Sequence, residues 1–115
     1  MRRARVERED GTLVCEAEVA ANPFTRFRGL MGRRSLGEAE GLLLDPASSI
    51  HTHFMRFAID AVFLDGDARV THIAVALHPW RIASRRGSKQ VLELPAGASR
   101  AAGVEPGDRL VVRAI

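Results

Sequence analysis

The stretch DAVFLDGDARVTHIAVAL, residues 60–77, predicts the centre of the fold. Two apolar runs, 60–64 and 70–77, flank the turn sequence DGD at 65–67. An Asp-Gly step suits the left-handed backbone dihedrals of a tight turn, and apolar runs on both sides of such a step are typical of paired strands. These residues therefore predict a β-hairpin.

Further strands are predicted on both sides of this hairpin. Residues 12–20 alternate with the period of a half-buried strand, and the alternation places Cys15 in the core. The other runs that predict strands are 42–44, 50–57, 90–94 and 110–115.

Helix signals are fewer. Asn22 and Pro23 suit the N-cap and the first position of a helix that extends to about residue 33. Gly29 interrupts this helix, which predicts that another group packs close to its backbone. The expected apolar face of the helix carries Phe24, Phe27 and Met31, with Leu30 beside them.

Turn signals mark the C-terminal part of the chain. Residues 98–102 predict one helical turn that ends at Gly103, with Val104 placed for the hydrophobic contact of a Schellman ending. The sequence EPGD at 105–108 has proline and glycine at the two central positions of a type II turn, which leads into the last strand.

These elements predict a mostly β fold. We expect a compact, mostly antiparallel β-sandwich or barrel with one short α-helix near 23–33 and a helical turn near 98–102. A chain of 115 residues fits a single domain over 1–115. Hydrophobic residues are 46% and charged residues 27%, which argues against disorder, collagen-like repeats and coiled coil.

The charge balance is weak evidence about partners. The formal net charge is +3, and the basic residues are 16 arginines and one lysine, Lys89, which we interpret as a compositional habit of the source genome. Cys15 is the sole cysteine, so no internal disulfide forms. The basic N-terminus runs into acidic residues, and no apolar stretch approaches the roughly 20 residues of a membrane span. We therefore expect a soluble cytoplasmic protein that does not bind membranes.

Three segments resemble one family. They are RGLM at 28–31, HTHFMRFAIDAVFLD at 51–65, and ELPAG at 93–97 followed by Gly107-Asp108. The combination is similar to the DUF192 family over nearly the whole chain. The resemblance implies a single β-rich domain of jelly-roll-like character with one short helix, and it implies no established activity.

The resemblance gives different weight to different residues. Ala58 stands where the cytoplasmic-type branch of the family usually has proline, and His53 stands where that branch has an aromatic or other apolar residue. The resemblance therefore implies no role for His53. Asp60 matches an aspartate that is kept both in this branch and in a second, often exported, branch of the family. Three further residues match the pattern of the cytoplasmic-type branch only: His51, Met55 and Arg56.

The predicted strand 50–57 suggests a possible metal site. Strand alternation would place His51 and His53 side by side on one face, close enough to share a metal ion if Asp60 supplied a third ligand. Histidines in such a position are more often hydrogen-bonded packing or surface residues. We therefore expect no metal ion or other cofactor.

Asp60 stands among apolar residues and needs a partner, because an unpaired buried charge is costly. The candidate partners are Arg56 and Arg28. Asp60 either locks a turn by accepting bonds from backbone amides, which is the favoured interpretation, or faces a pocket as an acceptor or general base.

Two further side chains are open to more than one interpretation. Arg28 is a solvated charge, a partner of Asp60 or an anion hook. Trp80 is a lid over the core or a platform on which a ligand stacks.

Several activity classes lack their motifs. The sequence contains no Gly-x-Ser-x-Gly nucleophile elbow, no phosphate-binding loop and no dinucleotide fingerprint. The arginine pairs at 2–3, 33–34 and 85–86 are scattered along the chain and acidic residues lie between them, which makes a nucleic-acid partner unlikely.

The sequence thus favours a module that binds an unknown small ligand or protein partner near His51, Met55 and Asp60. One alternative is a hydrolytic or isomerising enzyme with Asp60 as its base, and a second is a structural scaffold or weak nucleic-acid binder; whether the chain is an enzyme stays open. The candidate ligand-binding residues are Arg28, Met31, His51, Met55, Arg56, Asp60 and Trp80.

Overall fold

A computed structural model describes residues 2–115 as nine strands and two short helices. The strands are β1 Arg2–Arg8, β2 Leu13–Ala20, β3 Glu40–Leu44, β4 Ser49–His51, β5 Ile59–Leu64, β6 Val70–Leu77, β7 Ile82–Ser84, β8 Gln90–Pro95 and β9 Leu110–Ala114. The helices are α1 Pro23–Arg28 and α2 Ala98–Ala101. Neither helix has the length or apolar character needed to cross a lipid bilayer.

Seven of these strands form one curled sheet in the order β6-β5-β8-β3-β2-β1-β9, and β4 pairs with β7 in a second, small sheet. Every neighbouring pair is antiparallel except β2 and β3. The two edges of the large sheet approach each other, because Arg69 bridges to Arg109 and Leu110 donates to the carbonyl of Ala68. The result is a half-barrel, which confirms the mostly β, largely antiparallel fold.

The central strands β3, β5 and β8 are covered on both faces, which explains their nearly continuous apolar sequences. The inner face packs around Val62, Leu92 and Leu94 inside the curl. The outer face packs around Phe63, Leu42 and Val91 beneath α1, the loop after it and β4.

The predicted caps and turns are confirmed. The Asn22 side chain accepts a hydrogen bond from the Thr25 amide at 2.8 Å, and Pro23 begins α1. Val104 donates to the Ser99 carbonyl at 2.9 Å across Gly103, which is the Schellman bond. Gly107 has a φ of 95° in the turn that leads towards β9. The hairpin of β5 and β6 also forms, although the left-handed residue in its loop is Ala68 (φ 60°).

The prediction for α1 was wrong in its length and in its buried face. The helix ends at Arg28, because Gly29 takes a φ of 48° and turns the chain out of the helix. Phe24 and Phe27 are 73% and 66% exposed, whereas Leu30, just beyond the turn, is 1% exposed. A helix of six residues followed by a reversal packs the residue after the reversal against the sheet and leaves its own aromatic face in solvent.

The strand predicted over 50–57 was also too long. β4 stops at His51, and Phe54 has a φ of 63°, which no extended strand tolerates. The buried hydroxyl of Thr52 donates to the His78 carbonyl at 2.7 Å and accepts from the Arg81 amide at 2.8 Å. These bonds hold residues 52–57 in turns, so the predicted alternation of side chains between two faces does not apply there.

Two strands were not predicted. β1 has four arginines in seven residues and β7 has three residues, so neither carries enough apolar periodicity to be recognised. β1 forms between β2 and β9, and β7 forms by pairing with the equally short β4.

The packing of α1 gives a direct test. We expect Leu30→Ala to lower the free energy of unfolding by about 2–4 kcal/mol, because it removes a buried side chain. Phe24→Ala should change it by less than about 0.5 kcal/mol, because the ring lies in solvent. Urea denaturation of both variants measures the difference, and equal losses would contradict the described packing.

Candidate functional site

A cavity of about 660 Å³ lies between α1, the segment 46–51 and the outer face of β8. Phe27 and Ile50 contribute apolar wall, and His51 lines the same space. Arg26 and Lys89 also line it, and Glu93 lines it from β8. A volume in this range is typical of small-molecule sites.

Glu93 is the unusual group of this cavity. Strand alternation turns its side chain to the outer face together with Val91, between Leu42 of β3 and Ala61 of β5. The residue is 2% exposed, and its Oε1 atom has no hydrogen-bond partner within residues 2–115. Burial raises the pKa of this carboxyl to about 8, so it carries a proton at neutral pH.

Gly29 borders this carboxyl. A Cβ atom built on Gly29 would lie 3.6 Å from Glu93 Oε1 and 4.0 Å from the Leu42 side chain. These are ordinary van der Waals distances, so the predicted close packing is not what requires a glycine at position 29. The glycine also has a positive φ that other residues rarely adopt, so one residue both ends α1 and borders the Glu93 carboxyl.

Hydrogen bonds identify the tautomer of the neutral His51 ring. Its Nδ1 accepts a bond from the His53 amide at 3.2 Å, so the proton of the neutral ring is on Nε2, which donates to the Phe27 carbonyl at 3.0 Å. This bond ties β4 to α1 across the cavity wall. Both ring nitrogens are thus engaged within the fold.

The structure does not bring His51, His53 and Asp60 together in the metal site that the sequence suggested. The His51 and His53 ring centroids are 5.2 Å apart, but His53 lies in the turn beyond β4 rather than beside His51 on a strand. In the part of the chain that the structure describes, no three His, Cys, Asp or Glu residues are grouped so that they could hold an ion.

Asp60 lies on the opposite face of the sheet from Glu93 and is 0% exposed. Its Oδ1 accepts from the Ala76 amide at 2.9 Å. Its Oδ2 accepts from the amides of Gly97 and Ser99, both at 3.1 Å, and from the Ser99 hydroxyl at 2.6 Å. The hydrogen bonds of Asp60 in residues 2–115 thus go to these groups and not to the candidate partners Arg28 and Arg56, which confirms the favoured interpretation that Asp60 accepts from backbone amides. Asp60 joins β6 to the start of α2, where Gly97 has no side chain to cap the helix.

The remaining candidates are dispersed. Met55 is buried in the outer core, and Met31 is partly buried in the loop after α1. Arg28 and Arg56 are exposed. Trp80 is 56% exposed and its ring packs against those of His53 and Phe54. The structure therefore brings His51, His53 and Trp80 onto one surface and separates them from Asp60.

The sequence analysis did not select Glu93 as a site residue, although a signal was present. Glu93 interrupts the apolar run 91–94, and it therefore meets the criterion that singled out Asp60, a carboxyl among apolar residues. The contacts then distinguish the two: Asp60 has four hydrogen bonds, whereas one oxygen of Glu93 has none.

The DUF192 family model, described as "Uncharacterized ACR", matches residues 5–112. The chain therefore belongs to the DUF192 family. A UPF0127 protein of Pyrococcus furiosus is 39% identical over 99 residues, which cover 83% of this chain and 84% of the relative.

Two solved structures share the fold. A Sinorhizobium meliloti protein described as a "putative transcription regulator" superposes with a TM-score of 0.84 at 30% identity, covering 96% of this chain and 92% of that one. A Novosphingobium aromaticivorans protein of unknown function gives a TM-score of 0.83 at 26% identity, covering 95% of this chain and 83% of that one.

The bonds of Asp60 predict a structural role. Asp60→Asn replaces one acceptor oxygen by an NH₂ group that must face either the Ala76 amide or the donors of Gly97 and Ser99. We expect the free energy of unfolding to fall by about 2–4 kcal/mol in urea denaturation. Asp67→Asn, on the exposed hairpin loop, is the matched control and should behave as wild type. A wild-type stability for Asp60→Asn would contradict this role.

The buried Glu93 carboxyl predicts a pH dependence of stability. Its pKa is raised in the folded state, so the folded chain keeps a proton that the unfolded chain loses above a pH of about 4.5. The free energy of unfolding should therefore fall as the pH rises from about 4.5 to about 8, by at most about 1.4 kcal/mol per pH unit.

Glu93→Gln tests this dependence, because the amide has the shape of the protonated carboxyl and does not ionise. The variant should lack this component of the slope and be more stable than wild type at pH 8. The exposed Glu38→Gln is the control, and it should retain the wild-type slope in denaturation measured across this pH range. Identical slopes in wild type and Glu93→Gln would show that Glu93 is not held neutral.

Proposed function

We propose that this chain is a binding module for a small polar organic ligand that occupies the cavity between α1 and β8. The observation that carries the proposal is the buried Glu93 carboxyl with an unsatisfied oxygen at the cavity wall. A buried polar atom without a partner costs about 1–3 kcal/mol, so a ligand that supplies the partner recovers that free energy on binding.

The lining indicates which groups such a ligand carries. Glu93 suits a hydroxyl, amide or amine group, since a protonated carboxyl both donates and accepts hydrogen bonds. Arg26 and Lys89 favour an anionic or strongly accepting group elsewhere on the ligand. Phe27 and Ile50 offer apolar contact to its carbon skeleton. This combination of apolar wall and a few placed polar groups is common in ligand pockets.

The other interpretations are supported less well. An enzyme with Asp60 as its base would need that carboxylate to reach a substrate, whereas four hydrogen bonds already engage it. Binding of a protein partner and a cytoplasmic location stay predictions from the sequence.

A thermal-shift screen tests the proposal. Wild type and Glu93→Leu, whose side chain neither donates nor accepts a hydrogen bond, are heated with separate panels of sugars, amines, carboxylates and nucleotides at pH 7. A ligand at a hundred times its dissociation constant adds about 2.7 kcal/mol to stability and raises the melting temperature by several degrees in a domain of this size. We expect one class to shift the melting temperature of wild type clearly more than that of Glu93→Leu.

The control variant Glu38→Gln should respond as wild type does. A compound that stabilises wild type and Glu93→Leu equally binds without help from Glu93 and contradicts the proposed site. The absence of any shift across all four panels would overturn the proposal for these ligand classes.

A further inference from the structure

The charges of this chain divide into two regions. Three segments, 22–34, 46–58 and 78–92, contain nine of the 17 Lys and Arg residues and none of the 14 Asp and Glu residues. The nine are Arg26, Arg28, Arg33, Arg34, Arg56, Arg81, Arg85, Arg86 and Lys89.

Backbone and side-chain bonds join the three segments into one surface. Arg26 donates to the Pro46 carbonyl at 2.8 Å, and the Gly32 amide donates to the Phe54 carbonyl at 3.1 Å. The Arg85 amide donates to the Ser48 carbonyl at 3.0 Å, beside the pairing of β4 with β7. We call the surface formed by residues 22–34, 46–58 and 78–92 the basic face.

The cations of the basic face are not neutralised within the described part of the chain. The four ion pairs among residues 2–115 all join residues of β1, β2, β9 and the β1–β2 turn. None involves one of the nine cations. Their charge is thus available to an anionic partner, and salt would weaken that attraction.

A row of rings crosses the same face. Phe27, His51, His53, Trp80 and Phe54 follow one another with centroid separations of 5.2, 5.2, 5.4 and 4.7 Å. The end rings Phe27 and Phe54 are 66% and 59% exposed, and Trp80 is 56% exposed. Arg28 follows Phe27 and Arg81 follows Trp80 along the chain, and both are exposed. Two of the exposed rings are thus followed in sequence by an exposed arginine.

We propose that the basic face binds single-stranded nucleic acid, with bases stacked on Phe27, Trp80 and Phe54 and phosphates held by arginines. Stacking platforms in a positively charged setting are the usual means of binding single strands without sequence preference. A duplex hides its base faces, and α1, with six residues, is short for an element that reads a major groove.

This inference does not use Glu93, although the basic face shares Arg26, Phe27, His51 and Lys89 with the cavity proposed above as a ligand site. It also revises the expectation that nucleic acid is an unlikely partner. That expectation rested on arginine pairs that are scattered along the sequence with acids between them. In the folded chain the pairs at 33–34 and 85–86 lie on the acid-free segments. Of the acids between them in sequence, Asp60 is buried on the inner face of the sheet, whereas Asp45, Asp65 and Asp67 line a pocket together with Lys89.

The single tryptophan supplies the measurement. Trp80 is the only tryptophan and the chain has no tyrosine, so intrinsic fluorescence reports on this face alone. We would titrate wild type with mixed-sequence DNA and RNA single strands about 12 nucleotides long, following both Trp80 quenching and the anisotropy of a labelled strand. We expect quenching, a dissociation constant of about 1–100 µM at low salt, and weaker binding as salt rises.

Variants distinguish the contribution of base stacking to the affinity from the contribution of positive charge. Trp80→Ala should weaken binding about 5–100-fold, because one stacked base is worth about 1–3 kcal/mol, and Trp80→Phe should restore most of it. Arg81→Ala should lower the salt dependence of log Kd by about 0.7. Arg100→Ala, exposed on α2, is the control for net charge, and Glu93→Gln should bind the strands as wild type does.

Several results would overturn the proposal. These are no binding of either strand at low salt, equal losses in Arg100→Ala and Arg81→Ala, and unchanged binding in Trp80→Ala. Duplex DNA that binds as tightly as single strands without quenching would also overturn it. Binding to phosphatidylserine vesicles but not to oligonucleotides would assign the face to a membrane surface instead.

Discussion

Burial on both faces of strands β5 and β8 governs every polar group that they carry. A carboxyl on such a strand has no access to bulk water, so it must find donors inside the fold or keep its proton. Asp60 finds donors inside the fold, because β6 and the start of α2 present four of them to it. Glu93, on the other side of the same sheet, keeps its proton. The inner face is thereby locked, while the outer face retains an unsatisfied group beside a cavity.

The sequence predicted the elements whose signal is local. Caps at Asn22 and Gly103, the β5–β6 hairpin and the apolar central strands follow from dihedral preference and periodicity within a few residues. The wrong predictions are those in which a contact with a distant part of the chain determines the local structure. The 50–57 segment alternates like a strand, but bonds from Thr52 to residues 78 and 81 turn it away. Likewise α1 has an amphipathic pattern, yet Gly29 ends it before its aromatic face can reach the sheet.

The site was less predictable than the fold. His51 and Trp80 were selected and lie on one surface, whereas Asp60, selected as a carboxyl among apolar residues that matches a family aspartate, lies on the opposite face of the large sheet from Glu93 and the cavity. Which face of a strand a carboxyl occupies, and which donors it meets, depends on register with strands far along the chain. The charge segregation of the three acid-free segments has the same origin, because nothing local in the sequence shows that 22–34, 46–58 and 78–92 meet.

The hydrogen bond from Ala76 to Asp60 also affects the open edge of the sheet. Ala76 has a φ of 51°, and the register of β6 against β5 shifts at this point. A bulge at this position bends an edge strand and, with one amide turned inward to Asp60, leaves an incomplete row of donors for another chain to join. At the opposite end of β6, the contacts of residues 68–70 with 107–110 occupy the backbone groups. The same carboxylate that secures α2 thus helps to protect the chain from edge-to-edge aggregation.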